Sequence, residues 1–448
     1  MSLKLSVHNI FSEIRDSDKY FIVNLLSGNA DLLEKDEAQQ IIDIKNTGNY
    51  NEKSEFVNDL ISKGYLVDPV TEKSLFRQKY IDFIDNRAGD EVQIFFVTNY
   101  SCNFSCSYCY QDQYKNPSYK LNREVIDAFF SYIGKAFGGR KKYITVFGGE
   151  PLLPGADQKA HIEYLISKAN EVNLDICLVT NGYTLSEYIP VLRKGRIREV
   201  QVTLDGTAPV HDRRRHLRNG GATFEKIVEG IDACLANNFP VNLRMVTDRE
   251  NVENLPELAK FAADRGWTGN KLFKTQVGRN YELHHCQSSP DQLFSRISLY
   301  ETITGIIKSH PEVLDFYKPA YSATKFLSEN GSLPDPLFDS CPACKTEWAF
   351  DYTGKIYPCT ATVGKEDECL GTFYPQVSLD ENKSFEWENR DVISVRECNE
   401  CNLKLACGGG CGSVAKNLSG KICSPDCRPV KELMELGFSV YFDTNGTQ

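Results

Sequence analysis

The residues best suited to chemistry in this chain are cysteines. There are 16, and three sit on one short segment as Cys102-x3-Cys106-x2-Cys109. Three thiolates on one loop can ligate three irons of a cubane 4Fe–4S cluster and leave the fourth iron open to an exogenous chelating ligand. Zinc is the competing reading, but zinc knuckles supply four ligands in two pairs, and no fourth Cys or His lies nearby. Ten more cysteines fall between Cys341 and Cys427. They run as Cys344-x9-Gly354-x4-Cys359, then Cys398-x2-Cys401-x5-Cys407-x3-Cys411, then Cys423 and Cys427, with Cys341 and Cys369 alongside. A pair of zinc ribbons would use eight ligands, and neither the surplus nor the lack of a histidine partner suits it. Cys177, Cys234 and Cys286 stand alone and read as small buried hydrophobes.

Three polar segments accompany the cysteines. In Gly148-Gly149-Glu150-Pro151 the glycines would let a ligand approach the backbone closely, and Glu150 offers an acceptor for an ammonium group. Thr180-Asn181-Gly182, and Thr203-Leu204-Asp205-Gly206 with the run His211 to Arg215, have a plainer reading as turns, which Asn-Gly and Asp-Gly supply unaided. His284-His285-Cys286 looks metal-like, but adjacent side chains seldom converge, and a polar loop is the better reading.

A frame must hold these residues, and 448 residues exceed what one hydrophobic core usually serves, so two or more domains are expected. The composition, 41% hydrophobic and 25% charged, is that of a soluble globular protein. A net charge of −10 disfavours a nucleic-acid-binding surface. The N-terminus lacks the apolar run of a signal peptide, and no stretch approaches the roughly 18 apolar residues that span a bilayer. The expected home is the cytoplasm, where disulfides are rare and clustered cysteines point to metals or catalysis.

Residues 1–90 read as a small winged-helix-like module: strands over Tyr20–Leu25 and Ala30–Leu33, helices near Glu37–Ile44 and Ser54–Lys63, and a closing strand at Gly64–Val67, with a charged linker from Thr71 to Asp90. Residues 91–309 alternate strand and helix six times, with strands at Val92–Val97, Tyr143–Phe147, Asp175–Val179, Val200–Leu204, Pro240–Val246 and Leu272–Gln276. Six such units predict an α/β fold, a parallel sheet curled as a partial (β/α)6 TIM-type barrel, whose sites form at the C-terminal strand ends. The distinctive residues occur at those ends. Residues 310–448 lose periodicity and gain Cys, Gly and Pro, as expected of a region held by metal ligation rather than apolar burial alone.

The loop from Cys102 to Cys109, with aromatic Tyr108 before its last cysteine, resembles the signature of radical S-adenosylmethionine (SAM) enzymes, and Gly148-Gly149-Glu150 resembles their GGE segment. The resemblance implies that Cys102, Cys106 and Cys109 hold a catalytic 4Fe–4S cluster whose open iron takes the methionyl amine and carboxylate of SAM. One electron from the cluster then yields a 5′-deoxyadenosyl radical that abstracts a hydrogen atom. It implies a cofactor site drawn from Tyr108, Gly148, Gly149, Glu150, Thr180, Asn181, Thr203, Asp205 and Arg215. Thr203 and Arg215 are the candidates for the carboxylate and ribose; Arg213, Arg214 and Arg244 compete with them. The C-terminal cysteines resemble the SPASM extension, which binds two auxiliary 4Fe–4S clusters. By that analogy Cys341, Cys344, Cys359 and Cys411 hold the first, and Cys398, Cys401 and Cys407 hold the second with Cys427 or Cys423. Cys341 and Cys344 both satisfy the spacing to Gly354, so the first cluster either has four protein ligands or an open iron; Cys369 fits neither set.

Residues 1–90 resemble the PqqD-like leader-recognition elements of peptide maturases, which bind a leader as an added strand. The leading expectation is therefore a maturase that forms a thioether, ether or carbon–carbon crosslink in a ribosomally made precursor peptide, reduced by an external donor such as flavodoxin or ferredoxin, with no nucleic-acid or membrane partner. Anaerobic sulfatase-maturing enzymes, which make formylglycine, are the rival within the class. They start close to their cysteine loop, whereas about a hundred residues precede it here, and they carry an aspartate base after the Gly-x4-Cys cysteine where this chain has Thr360. The rival outside the class is a non-catalytic iron–sulfur electron carrier, which has no need of Gly148–Glu150 or a six-unit barrel.

Overall fold

The computed structural model describes residues 3–109, 111, 120–280 and 290–442. The His284-His285-Cys286 segment lies outside the described residues.

Strands Asn9–Glu13, Tyr20–Asn24 and Asn29–Leu33 form an antiparallel meander, followed by helices Lys35–Thr47 and Glu55–Ser62. A two-stranded pair, Lys4–Leu5 with Leu66–Val67, closes the module. The first two strands in the chain were not read from the sequence; Lys4–Leu5 is too short to show a period, and Asn9–Glu13 mixes polar and apolar residues. The central strand Tyr20–Asn24 is apolar on both faces because both are covered. Ile22 packs with Ile41, Val57 and Leu60 under the helices. Phe21 and Val23 face the other way, into a core shared with Phe338, Val395, Leu405, Met434 and Phe438 of the C-terminal region.

The expected linker from Thr71 to Asp90 is instead a 21-residue helix, Pro69–Gly89. Asp68 caps it by accepting from Thr71 N at 2.9 Å, and Pro69 begins it, where a missing N–H costs nothing. Phe76, Tyr80 and Phe83, spaced i, i+4, i+7, surround Phe338 with ring centroids 5.2, 5.4 and 5.5 Å away. That face was present in the sequence, masked by the charges between its members.

Six parallel strands form the barrel: Val92–Val97, Lys142–Phe147, Ile176–Thr180, Ile197–Thr203, Val241–Thr247 and Phe273–Arg279, adjacent in that order. Helices such as Arg123–Ala136 and Ala156–Glu171 cover the outer face with Phe129, Ile133, Leu165 and Ile166. The sheet does not close. Strand Glu347–Asp351, from the cysteine-rich region, pairs in parallel with the first barrel strand, and three short antiparallel strands continue the sheet beyond it. The barrel sheet is thus extended at its first strand by residues more than two hundred positions downstream. Helix Val430–Tyr441, the last among the described residues, packs on the N-terminal meander.

Candidate active site

The cysteine loop begins where the first barrel strand stops. Asn99 O accepts from Gly149 N at 2.9 Å and Ser101 O from Glu150 N at 2.8 Å, so the segment entering Cys102 lies along the turn after the second strand. A Cβ on Gly148 would stand 2.5 Å from Asn99 O, and one on Gly149 would overlap Ser101 O. The close approach that demands glycine is therefore by the chain's own backbone, where the sequence suggested a ligand.

Glu150 likewise differs from the expected open acceptor. Its side chain is fully buried; Oε1 accepts from Leu152 N (2.8 Å) and Thr180 Oγ1 (2.6 Å), and Oε2 from Asn181 N (2.6 Å). Burial pushes its carboxyl pKa up, and these donors pull it back. Glu150 ties the second strand end to the third. Asn181 extends the tie: its Nδ2 donates to Asn103 Oδ1 at 2.8 Å and stands 3.8 Å from Cys102 Sγ, while Phe104 N donates to the same sulfur at 3.4 Å. N–H groups aimed at a thiolate stabilise its charge and tune any metal it binds.

Phe104–Cys106 then pairs antiparallel with Arg215–Leu217, which sets Arg215 opposite Cys106. Arg215 Nη1 donates to Tyr108 Oη at 2.6 Å, and its Nε is buried with no partner among the described residues. Burial drives the Cys106 thiol up to about 12 against the pull of Arg215, and burial with the nearby Glu150 charge drives Cys102 to about 11.

The three consecutive arginines separate cleanly. Arg213 is exposed. Arg214 is buried among carboxylates, with Nη1 and Nη2 at 2.7 and 2.9 Å from Asp248, Nη1 at 2.9 Å from Glu250, and Nε at 3.3 Å from Asp205. Asp205, expected at the cofactor, has its other oxygen bonded to Val246 N at 3.0 Å, so its carboxylate is consumed by the scaffold. His211 Nδ1 accepts from Asp205 N at 3.1 Å, and burial holds its pKa well below 6.5. Only Arg215 of the three faces the barrel interior.

That interior is a cavity of about 650 Å³. Cys106, Tyr108, Cys109, Thr203 and Arg215 line it at the C-terminal strand ends. Arg244 and Arg279 form its side wall, and Thr360 and Ala361 reach in from the cysteine-rich region. Cys177, read from sequence as an ordinary buried hydrophobe, also lines it; Cys234 is in the core as expected. Arg244 had a signal, a charge within the apolar strand Val241–Thr247. Thr180, Asn181 and Glu150 brace the site from behind the cysteine loop and are not in the cavity wall.

In the C-terminal region Cys341, Cys344, Cys359 and Cys411 converge. Burial, Glu347 and then Cys341 and Cys411 push the Cys359 thiol up; burial likewise raises Cys344 and Cys411, with Glu388 and Cys341 adding to the first and Cys341 to the second. Cys398, Cys401, Cys407 and Cys427 form a second group: burial first, then Cys407, Cys427 and Cys401, raise the Cys398 thiol against the pull of Arg390. Cys423 and Cys427 are both exposed, but only Cys427 acts on Cys398, and Cys369 bonds instead to Gly371 O at 3.3 Å. Among the described residues no three His, Cys, Asp or Glu side chains fit a single-ion site; a cubane spreads its thiolates over separate irons.

Residues 96–262 match the model of the Radical SAM superfamily. The barrel is a radical SAM domain. Such a domain implies SAM and one 4Fe–4S cluster. The buried Arg215 Nε, without a partner among the described residues and in a wall shared with Cys106 and Cys109, suits a carboxylate such as that of SAM. The chain is 29% identical over 317 residues to a probable GTP 3′,8-cyclase of Sulfolobus acidocaldarius, covering 69% of this chain and 95% of that protein. It is 24% identical over 346 residues to the cysteine-type anaerobic sulfatase-maturating enzyme of Clostridium novyi, covering 69% and 85%. Among solved structures, Streptococcus suis SuiB bound to its precursor peptide SuiA shares the fold with a TM-score of 0.53 at 14% identity, over 95% of this chain and 99% of that one. No described helix is long and apolar enough to cross a membrane.

Proposed function

We propose that the protein is a radical SAM peptide maturase that forms a crosslink within a ribosomally made precursor, with Cys102, Cys106 and Cys109 holding the catalytic cluster. The two C-terminal cysteine groups hold auxiliary clusters, Cys427 completing the second, and a flavodoxin or ferredoxin supplies electrons. When bound, cluster and SAM supply a 5′-deoxyadenosyl radical that removes a hydrogen atom from the substrate. Arg215 offers its free Nε–H to the cofactor's carboxylate and is held in place by Tyr108.

The observation that carries this reading is the shape of the interior. Arg244 and Arg279 line the barrel cavity and also a second one of about 580 Å³, whose walls include Cys411 and, from the N-terminal module, Leu25. Leu25, Pro334 and Asp335 in turn border a third hollow beside the turn Ser27–Asn29. A run of neighbouring hollows that share wall residues, from module to strand ends, suits an extended chain better than a compact metabolite. Strand Asn29–Leu33 is an edge of the meander, where a leader adds by main-chain hydrogen bonds. The likeness to SuiB, a protein solved with its precursor peptide, includes this module in its coverage.

One observation favours formylglycine formation as a second reading. Thr360 stands where the notable aspartate of those enzymes is expected, but its N and Oγ1 donate to Glu347 Oε1 at 2.7 and 2.8 Å, so a carboxylate adjoins the cavity all the same. The test is incubation of the reconstituted, reduced protein with SAM and the peptide from a short reading frame beside its gene. A product lighter by two hydrogen atoms, with 5′-deoxyadenosine, is expected. An aldehyde product would select the second reading, and turnover of GTP in place of peptide would overturn both.

A further inference from the structure

Arg390 is the most completely buried cation of the cysteine-rich region, with no measurable exposure. Among the described residues its partners are four backbone carbonyls and no carboxylate: Nε donates to Ile422 O at 2.9 Å, Nη1 to Gly410 O at 3.0 Å, and Nη2 to Gly409 O at 2.6 Å and Ser424 O at 3.0 Å. Its neighbour Lys345 is different, because its Nζ is paired with Asp339. Arg296, nearby, is paired with Asp426. A guanidinium taken wholly out of water without a counter-charge is expensive, and carbonyl dipoles offset only part of the cost. Something anionic should face it.

The two thiolate groups do. A methyl group placed on Gly412 would lie 3.2 Å from Arg390 Cδ and 3.2 Å from Cys341 Sγ; one placed on Gly409 would lie 3.6 Å from Arg390 Nη1 and 3.7 Å from Cys398 Sγ. The stem of Arg390 therefore passes beside Cys341 of the first cysteine set, with the Trp387 ring against the same glycine, and its guanidinium lies beside Cys398 of the second. An iron–sulfur cluster with four thiolate ligands carries net negative charge, and its reduction potential follows local charge and burial.

We propose that Arg390 is the shared counter-charge of the two auxiliary clusters, a positioning residue that raises the reduction potential of both. This rests on the reading of the C-terminal cysteines as two cluster sites. Reduction adds negative charge, so a fixed cation favours the reduced state, and removing it must move the midpoint down.

The test is a redox titration of the full-length, reconstituted protein followed by electron paramagnetic resonance, comparing wild type with Arg390→Gln and Arg390→Lys. In Arg390→Gln both auxiliary signals should shift to lower potential by at least tenfold in the reduction equilibrium, about 59 mV for a one-electron couple, while the SAM-responsive catalytic cluster stays put. Arg390→Lys keeps the charge and sacrifices most of the carbonyl bonds, so its auxiliary midpoints should remain within about threefold of wild type. Auxiliary signals unmoved in Arg390→Gln, or moved as far in Arg390→Lys, would overturn the inference while leaving the clusters standing. Wild-type protein with no auxiliary signals would overturn the cluster reading itself. Should Arg390→Gln fail to load iron, the Arg390→Lys midpoints decide alone: retained, they support the charge; lowered tenfold, they refute it.

Discussion

Two regions of this molecule gather cysteines by opposite means. At the barrel mouth the thiols of Cys102, Cys106 and Cys109 hang from a loop fixed by strand pairing, by the Gly148–Glu150 turn and by Arg215, all of which exist without metal. In the C-terminal region Cys341 to Cys427 lie on turns, short helices and a chain of left-handed glycines, Gly408, Gly409 and Gly410, gathered around Arg390, which donates only to backbone carbonyls among the described residues. The first site is a product of the fold. The second, if it holds the proposed clusters, adds the folding energy of metal ligation to the apolar core that the region shares with the N-terminal module.

The largest effect should come from breaking the first region chemically. Cys102→Ala/Cys106→Ala/Cys109→Ala is expected to reduce 5′-deoxyadenosine formation to background while removing, on the proposed three clusters, about one third of the iron; retained cleavage would dissolve the distinction between the regions. Next is Gly149→Ala, whose Cβ overlaps Ser101 O. It leaves every ligand in place and displaces the loop, and a shift near 1 Å at a reacting centre costs about 10²-fold in rate; assay of 5′-deoxyadenosine with iron content held equal checks it.

Removing iron with a chelator sharpens the contrast in stability. Amide exchange should accelerate across residues 341–427 and remain slow in the barrel strands; equal loss of protection in both would mean the barrel also depends on metal. A smaller effect is acid sensitivity at the barrel mouth. His211 is held neutral in the fold, below the 6.5 of the free side chain, so the unfolded chain binds the extra proton. Stability is then full above pH 6.5 and falls below it, by about 1.4 kcal/mol per pH unit for one such group. Melting curves of wild type and His211→Asn between pH 5 and 7 should diverge in slope, and parallel curves would remove His211 from the account. The smallest change expected is in Cys423→Ser, with iron content as in wild type, against a lost cluster in Cys427→Ser.

Much of the barrel was legible in sequence because parallel strands buried on both faces are continuous apolar runs; Val92–Val97 was read to the residue. Helix Pro69–Gly89 was misread because its charges outnumber its aromatic stripe, and the stripe acquires meaning only against Phe338. The pairing of Glu347–Asp351 with the first strand could not be read, since five residues among turns carry no mark of a partner so distant in the chain. At the site, ligand types were visible and roles were not. Glu150 and Asp205 stood out by composition, yet one braces two strand ends and the other holds Arg214.

What the sequence alone determined is the chemistry available and its period: the thiol spacings, the six strand–helix units and the glycines next to the cysteine loop. These are local properties, set by neighbours a few residues apart. What only the tertiary structure decided is assignment, namely which arginine of three meets the cavity, whether Cys427 or Cys423 joins the second group, and that Arg390 lies between the two groups. Each depends on distances between segments far apart in the chain, and those distances follow from packing, which no local pattern encodes.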